Sequence, residues 1–250
     1  MSFTPAISVV IPTLNEAVHL AATLANVRAA LPAAEIIVAD GGSTDGTPHL
    51  AAGNLTRVVS CARGRGVQLA AGAAQARGEV LLFLHADTHL PADAATHVAA
   101  YFARPEVLLG TFRLAFDEGG PFLRACAWLT RFDSVFTRFG DQGIVVRRSF
   151  YDELGGFPSW PLFEDVELLR RARRVTRVWS FPVCVATSAR RFRRHGPLGQ
   201  QLRNAVLLLR FLGGTPPHVL AAEYRGAGPE AVSNAAATPA TLRTVSSRKG

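Results

Sequence analysis

Four short runs rich in Val, Ile and Leu, at residues 6–11, 35–39, 56–60 and 79–84, punctuate the first third of the chain. They are continuous rather than alternating, which is the pattern of strands covered on both faces. The stretches between them, 17–31, 47–53 and 66–76, read as helices. Strand and helix taken in turn predict a parallel α/β sheet flanked by helices.

The regularity fades after residue 90. A helix is expected over 92–103, a strand over 107–116, an aromatic-rich helical stretch over 121–139 and a strand over 143–147. A helix over 164–174, a strand over 177–186 and a helix over 198–212 complete the order. The last of these spaces Leu198, Leu202, Val206, Leu209 and Leu212 at near-helical intervals, with Arg203 and Arg210 among them. Such a stripe predicts an amphipathic helix that either packs on the domain or makes a peripheral contact with a membrane surface. From Gly226 onward the sequence is small, polar and aperiodic, and it reads as a disordered tail. The expected organisation is one domain over 1–225 and a tail over 226–250, with no internal repeat.

Composition narrows the class. With 250 residues, 48% of them hydrophobic, the chain can bury one large core. Cys61, Cys126 and Cys184 are far apart, and no CxxC or His/Cys cluster occurs, so neither a disulfide framework nor a zinc site is supported. The opening "MSFTPAISVVIPTLNE" lacks a basic leader, and Pro12 cuts its apolar run, unlike a signal peptide. No apolar run approaches the roughly 20 residues that span a bilayer. The expectation is a cytoplasmic protein, peripheral at most to the inner membrane surface. The net charge of +8 is concentrated: residues 147–210 carry 13 Arg against 5 Asp and Glu, and the remainder balances. An excess built from guanidinium groups points to a phosphate-bearing partner.

In an open α/β sheet, ligands bind beyond the carboxyl ends of the strands. The four early strands are followed by "PTLNE", "DGGSTDGT", "CARGRG" and "HAD". Acids, arginines and glycine-permitted backbone thus meet on one rim, an arrangement suited to a nucleotide diphosphate with a divalent cation. Each motif also has a plainer reading. "DGGSTDGT" could be a turn in which Asp45 or Thr47 caps a helix, and "HAD" a turn with a satisfied histidine. Neither GxGxxG nor GxxxxGK[ST] is present, which counts against dinucleotide-binding and P-loop chemistry.

The succession "VVIPTLNE", "DGGSTDGT", "ARGRG", "QARGEVLLFLHAD", "GDQG", "GGFP" and "FEDVELLRR" resembles the family-2 glycosyltransferases over roughly residues 6–195. The short length, with "HAD", "FGDQG" and "TSARRF", is most similar to a small bacterial subgroup partly linked to arsenosugar biosynthesis. The resemblance implies a single GT-A domain, a Rossmann-like nucleotide-binding fold with a mostly parallel sheet. It implies inverting transfer from a nucleotide-sugar donor, with a UDP-sugar foremost, to an unidentified acceptor hydroxyl, assisted by Mg²⁺ or Mn²⁺.

The same resemblance implies roles residue by residue. "HAD" stands at the family's Asp-x-Asp position, so Asp87 is the metal-binding carboxylate, with Ala86 and His85 before it. His85 replaces the usual first Asp, nearer the ribose. A neutral imidazole can bond a hydroxyl, brings no negative charge, and as a ligand would suit Mn²⁺ better than Mg²⁺. Pro12, Thr13 and Glu16 would line the nucleotide pocket, Asp40 would bond the base edge, and Arg65 and Gly66 would approach the nucleotide. Arg190 and Arg191 would reach the diphosphate, and His195 is a further candidate at the metal. Asp141, Gln142 and Glu164 would face the acceptor, and Asp165 would be the general base that a poorly nucleophilic hydroxyl requires. The plainer reading of Glu164, Asp165 and Glu167 is three first-turn acids stabilising a helix N-terminus.

Two other functions fit the same residues less well. A nucleotidyltransferase would carry a Gly-rich, basic loop after its first strand, where this chain has "PTLNE". A nucleic-acid-binding protein would interleave its arginines with aromatic residues, and acids on the strand rim would repel a phosphate backbone. Nucleic acid is therefore not an expected partner.

Overall fold

The computed structural model describes residues 5–52, 56–118, 120–189 and 196–224. The expected tail, together with Arg190, Arg191 and His195, lies outside the described residues. The chain runs β1 (Ile7–Thr13), α1 (Ala17–Ala30), β2 (Glu35–Asp40), α2 (Thr47–Ala51), β3 (Thr56–Ser60), α3 (Arg65–Gln75), β4 (Val80–Phe83) and β5 (Thr88–His89). It continues through α4 (Ala94–Phe102), β6 (Leu109–Phe116), α5 (Pro121–Leu129), a 3₁₀ turn (Gly140–Gln142), β7 (Ile144–Arg147) and α6 (Arg148–Glu153). The last elements are α7 (Glu164–Ala172), β8 (Trp179–Thr187), α8 (Pro197–Leu212) and α9 (Pro217–Tyr224).

One sheet holds all eight strands in the order β3-β2-β1-β4-β7-β6-β8-β5. The pairs β1–β2, β1–β4, β2–β3 and β6–β8 are parallel; β4–β7, β6–β7 and β5–β8 are antiparallel. This is the expected α/β class with a mostly parallel sheet. Along β1, Val9 and Ile11 join one core with Leu20, Leu24 and Phe102, while Val10 joins another with Leu69, Leu168 and Leu169. Successive side chains point to opposite faces of a strand, so a sheet buried on both faces needs the unbroken apolar runs seen in the sequence.

The sheet must curl. β4 and β5 are neighbours in sequence, yet three strands separate them in the sheet. Four inter-strand spacings laid flat would measure about 19 Å. The connection cannot reach that far, because it is a tight turn closed by the Thr88 N–H donating to the His85 carbonyl at 3.2 Å. Curvature therefore returns the far edge to the tip of β4.

The early elements fall within two residues of expectation, and β1 extends to Thr13. The later ones depart further. The helical stretch expected over 121–139 ends at Leu129, because Thr130 Oγ1 donates to the Ala127 carbonyl at 2.6 Å and accepts from Leu114 N–H at 3.0 Å. β5, α6 and α9 are additional elements. α8 forms as expected, but Leu198, Leu202, Val206, Leu209 and Leu212 face outward, and Gln200, Leu207 and Leu208 are buried instead. The packing fate of that stripe is thus corrected: α8 is held by Leu207 and Leu208 against Phe163, Val166 and Leu220.

A buried glutamine fastens the rim. Gln68 of α3, 5% exposed, donates through Nε2 to the Thr13 carbonyl at 2.6 Å and the Ala39 carbonyl at 3.1 Å. Gln68→Leu conserves bulk and removes this donor from both carbonyls, although that of Thr13 still accepts from the Gly41 N–H at 3.0 Å. It should lower the unfolding free energy by about 1–3 kcal/mol, read as a lower urea midpoint with unchanged slope.

Candidate active site

The first two rim loops hold each other. Asn15 has φ 55°, a left-handed conformation that Asn tolerates; its N–H donates to Ser43 Oγ at 2.9 Å and its Oδ1 accepts from Thr44 N–H at 2.9 Å. The Glu16 N–H donates to Thr47 Oγ1 at 2.9 Å, and the Ala17 N–H to Asp45 Oδ2 at 3.0 Å. Asp45 and Thr47 therefore satisfy the start of α1 as well as their own turn. Asp40, 3% exposed, accepts from Thr13 Oγ1, Gly42 N–H, Ser43 N–H and Ser43 Oγ. Burial pushes its carboxyl up, but the bonds from Ser43, Thr13 and Gly42 outweigh that and hold it below the usual range. Its four acceptor positions are all used within the protein. The Thr13 hydroxyl, 1% exposed with its residue, is likewise committed to Asp40.

The third loop meets α7. The Arg65 guanidinium pairs with Glu164 through Nε–Oε1, and its Nη2 lies 3.4 Å from Asp165 Oδ1. Gly66 donates its N–H to the Trp160 carbonyl at 3.2 Å, and a Cβ there would overlap the Pro158 carbonyl oxygen. Close backbone approach therefore accounts for this glycine without a nucleotide. Glu164 is wholly buried, and burial pushes its carboxyl up despite the opposing pull of Arg65. Its Oε2 has no hydrogen-bond partner among the described residues. Asp165, 5% exposed, accepts from Gly140 N–H at 2.6 Å and from Val166 N–H at 2.8 Å. The second of these is the helix-stabilising contact of the plainer reading.

At the tip of β4, helix α1 and strand β8 clamp the turn. Thr23 Oγ1 donates to the Ala86 carbonyl at 2.7 Å, and the hydroxyls of Thr88 and Thr187 are 3.0 Å apart. Ala86 is buried, while His85 and Asp87 are half-buried. His85 lines a small cavity with Gly140, Glu164 and Asp165, closed by Leu69, Phe83, Ile144 and Phe157. Among the described residues, no three His, Cys, Asp or Glu side chains gather on one point.

Opposite this tip, the Gly140–Gln142 turn carries the expected acceptor residues. Asp141 is half-buried, but Gln142 is wholly buried and donates to the Thr137 carbonyl at 2.6 Å. Gln142 thus braces the loop from inside through its amide N–H, while its Oε1 has no hydrogen-bond partner among the described residues. The sequence reading missed Gln68, Gly140 and Arg138. A Cβ on Gly140 would lie 2.9 Å from Asp165 Oδ2, and its signal was the glycine opening "GDQ". Arg138, 1% exposed, donates to Thr111 Oγ1; burial pushes it down to about 10, against the pull of Asp133.

The basic segment also finds an unexpected use. Of its nine described arginines, Arg147, Arg148, Arg170, Arg171, Arg173, Arg203 and Arg210 bond carbonyls or carboxylates of the chain itself. Among the described residues, much of this charge is thus engaged by the chain itself; Arg190, Arg191, Arg193 and Arg194 lie outside them.

Residues 8–153 match glycosyl transferase family 2. The chain belongs to that family. A search of curated proteins gives no match. Among solved structures, the fold is similar to a mannosyltransferase from Pyrobaculum calidifontis in complex with GDP-Man and Mn²⁺, at 23% identity and TM-score 0.61. That likeness covers 82% of this chain and 65% of the other. S. aureus TarS in complex with UDP-GlcNAc is similar at 16% identity and TM-score 0.59, covering 73% of this chain and 58% of the other. This family-2 chain thus spans less than two thirds of the length of either protein.

The buried glutamate has a consequence for pH. With its folded pKa raised above the ordinary 4.5, Glu164 gives up its proton, and becomes the charged partner of Arg65, at a higher pH than it does in the unfolded chain. The folded state then binds more protons, so the group's contribution to stability is full below the unfolded pKa and is lost as pH rises through the folded one. Glu164→Gln has no such proton. Relative to wild type, its unfolding free energy should improve steadily as pH is raised from acid toward neutrality in urea titrations. A difference that instead worsens as pH rises would mean that the Arg65 bond outweighs burial.

Proposed function

We propose that this chain is an inverting glycosyltransferase, moving a sugar from a nucleotide-sugar, with a UDP-sugar foremost, to an acceptor hydroxyl with the help of Mg²⁺ or Mn²⁺. The observation that carries this reading is the shared cavity of His85, from the tip of β4, and Glu164 and Asp165, from the start of α7. Family membership and the nucleotide-sugars bound by similarly folded enzymes support it. A cytoplasmic setting and a place in arsenosugar formation are part of the same proposal, through the subgroup resemblance.

The residues fit a cation held jointly with the donor. Asp87 offers one half-buried carboxylate at the strand tip, and no three-ligand cluster surrounds it among the described residues. One carboxylate plus substrate phosphates is a common arrangement for Mg²⁺. Arg190 and Arg191 would reach the diphosphate, and His195 would be a further ligand. When bound, the cation would neutralise charge on the departing diphosphate. Pro12 and Glu16 flank the nucleotide, and Arg65 orients Glu164 and Asp165. Asp165 takes the proton of the acceptor hydroxyl as that oxygen attacks C1. The acceptor C–O bond forms as the bond from C1 to the phosphate oxygen breaks on the opposite face, which inverts the centre. Asp141 and Glu164 lie on the acceptor side.

A screen of UDP-, GDP- and dTDP-sugars for donor hydrolysis, with Mg²⁺ and with Mn²⁺, tests class and donor together; no turnover of any donor removes the reading. Asp165→Asn keeps shape but cannot accept a proton, so turnover should fall about 10²–10⁴-fold with donor affinity near wild type. A loss of donor binding would instead place Asp165 in the nucleotide site. By calorimetry, Asp87→Asn should weaken Mn²⁺-dependent nucleotide binding far more than His85→Ala. Equal effects would remove Asp87 from the metal.

A further inference from the structure

Helix α8 turns an unbroken aliphatic stripe to the outside. Leu198, Leu202, Val206, Leu209 and Leu212 are 69, 67, 46, 58 and 41% exposed, and helical geometry sets them within an arc of about 120°. No charge falls on that arc. Arg203 bonds the carbonyls of Glu223 and Tyr224, and Arg210 pairs with the Glu223 carboxylate, so both lean toward α9. A second apolar group, Trp128, Leu129, Phe132 and Phe136, is 45–55% exposed. Trp128 and Phe132 meet edge to face at 5.1 Å, and Arg131 lies 4.8 Å over the Trp128 ring. The segment around the second group is anchored under the same helix, since Val135 and Phe139 pack with Leu207 and Leu208 beneath α8.

Three occupants could cover the stripe. A second copy is poorly served: a 16-residue helix face is about 24 Å by 10 Å, a footprint of about 240 Å², against about 800 Å² per partner in a stable interface. Residues 225–250 hold only Val232, Leu242 and Val245 as large aliphatic residues. A lipid surface fits best. An outward Leu/Val stripe beside Trp, Phe and Arg is the composition of helices that lie in the membrane interface. In sequence, α8 is preceded by Arg190, Arg191, Arg193 and Arg194, and α9 is followed by Arg225, Arg243, Arg248 and Lys249. The run of four arginines directly before α8 favours anionic headgroups. Among the described residues no helix is long and apolar enough to cross a membrane, so the contact lies in the plane of the surface.

We propose that α8, assisted by the Trp128–Phe132 group, docks this protein on an anionic lipid surface with its aliphatic stripe at the headgroup boundary. Full-length protein should co-sediment with phosphatidylglycerol-containing vesicles at low salt, less so at high salt, and weakly with pure phosphatidylcholine. The double variant Leu202→Glu, Leu209→Glu changes only outward side chains. It should cut vesicle affinity at least about tenfold while its circular dichroism and melting temperature match wild type. Failure of wild type to bind the anionic vesicles at low salt overturns the proposal, as does binding of the double variant at wild-type strength. A wild-type dimer in light scattering that the double variant converts to monomer would put a second copy on the stripe and also overturn it.

Discussion

The ion pair between Arg65 and Glu164 is the contact on which the rest of the site depends. Glu164 is wholly buried, and removing the partner of a buried charge destabilises by about 3–5 kcal/mol. A cation must therefore accompany it, and the first residue of α3 supplies one. That pairing brings the third rim loop against the start of α7, where Gly66 meets the backbone of residues 158–160. Asp165 is then held between the same guanidinium and the Gly140 N–H. One buried carboxylate thus joins the loops after the early parallel strands to the loops of the later half of the chain.

The parts legible in the sequence are those whose pattern has one physical cause. β1, β2 and β4 are buried on both faces and carry continuous apolar runs, while β3 is a half-buried edge strand; the strand-tip rule then places "HAD" on the rim. The later half was less legible because distant partners set its boundaries. Thr130 ends α5 by bonding Leu114 of β6, and β5 exists only as two residues paired to β8. The order of the motifs identified the rim, but not which of its side chains already had partners. Asp40 and the Gln142 amide nitrogen, for example, bond their own loops, which the spacing of the motifs does not reveal.

Periodicity in α8 shows a further limit. Its spacing marked an apolar stripe correctly, but a helix containing Val206, Leu207, Leu208 and Leu209 in succession has apolar residues on every side. Which stripe is buried was decided by Phe163, Val166 and Leu220, from elsewhere in the chain. The arginine excess is similar: charge counted along the sequence cannot distinguish a group facing a ligand from one bonding a carbonyl, as Arg147 bonds those of Val107, Phe102 and Arg104.

The strand order also bears on how the chain is made. β1 to β4, with their connecting helices, occupy one contiguous stretch and can pair as soon as Phe83 has been synthesised. The free edge of β4 then waits for β7, whose Ile144 pairs with Phe83 about sixty residues later. At about 5–20 residues per second, that is roughly 3–12 s. Throughout that interval a short, wholly apolar edge strand lies open beside the nascent rim loops, the kind of edge that invites mispairing. The same late closure that assembles the candidate active site makes β4 the point at which a growing chain is most exposed to aggregation.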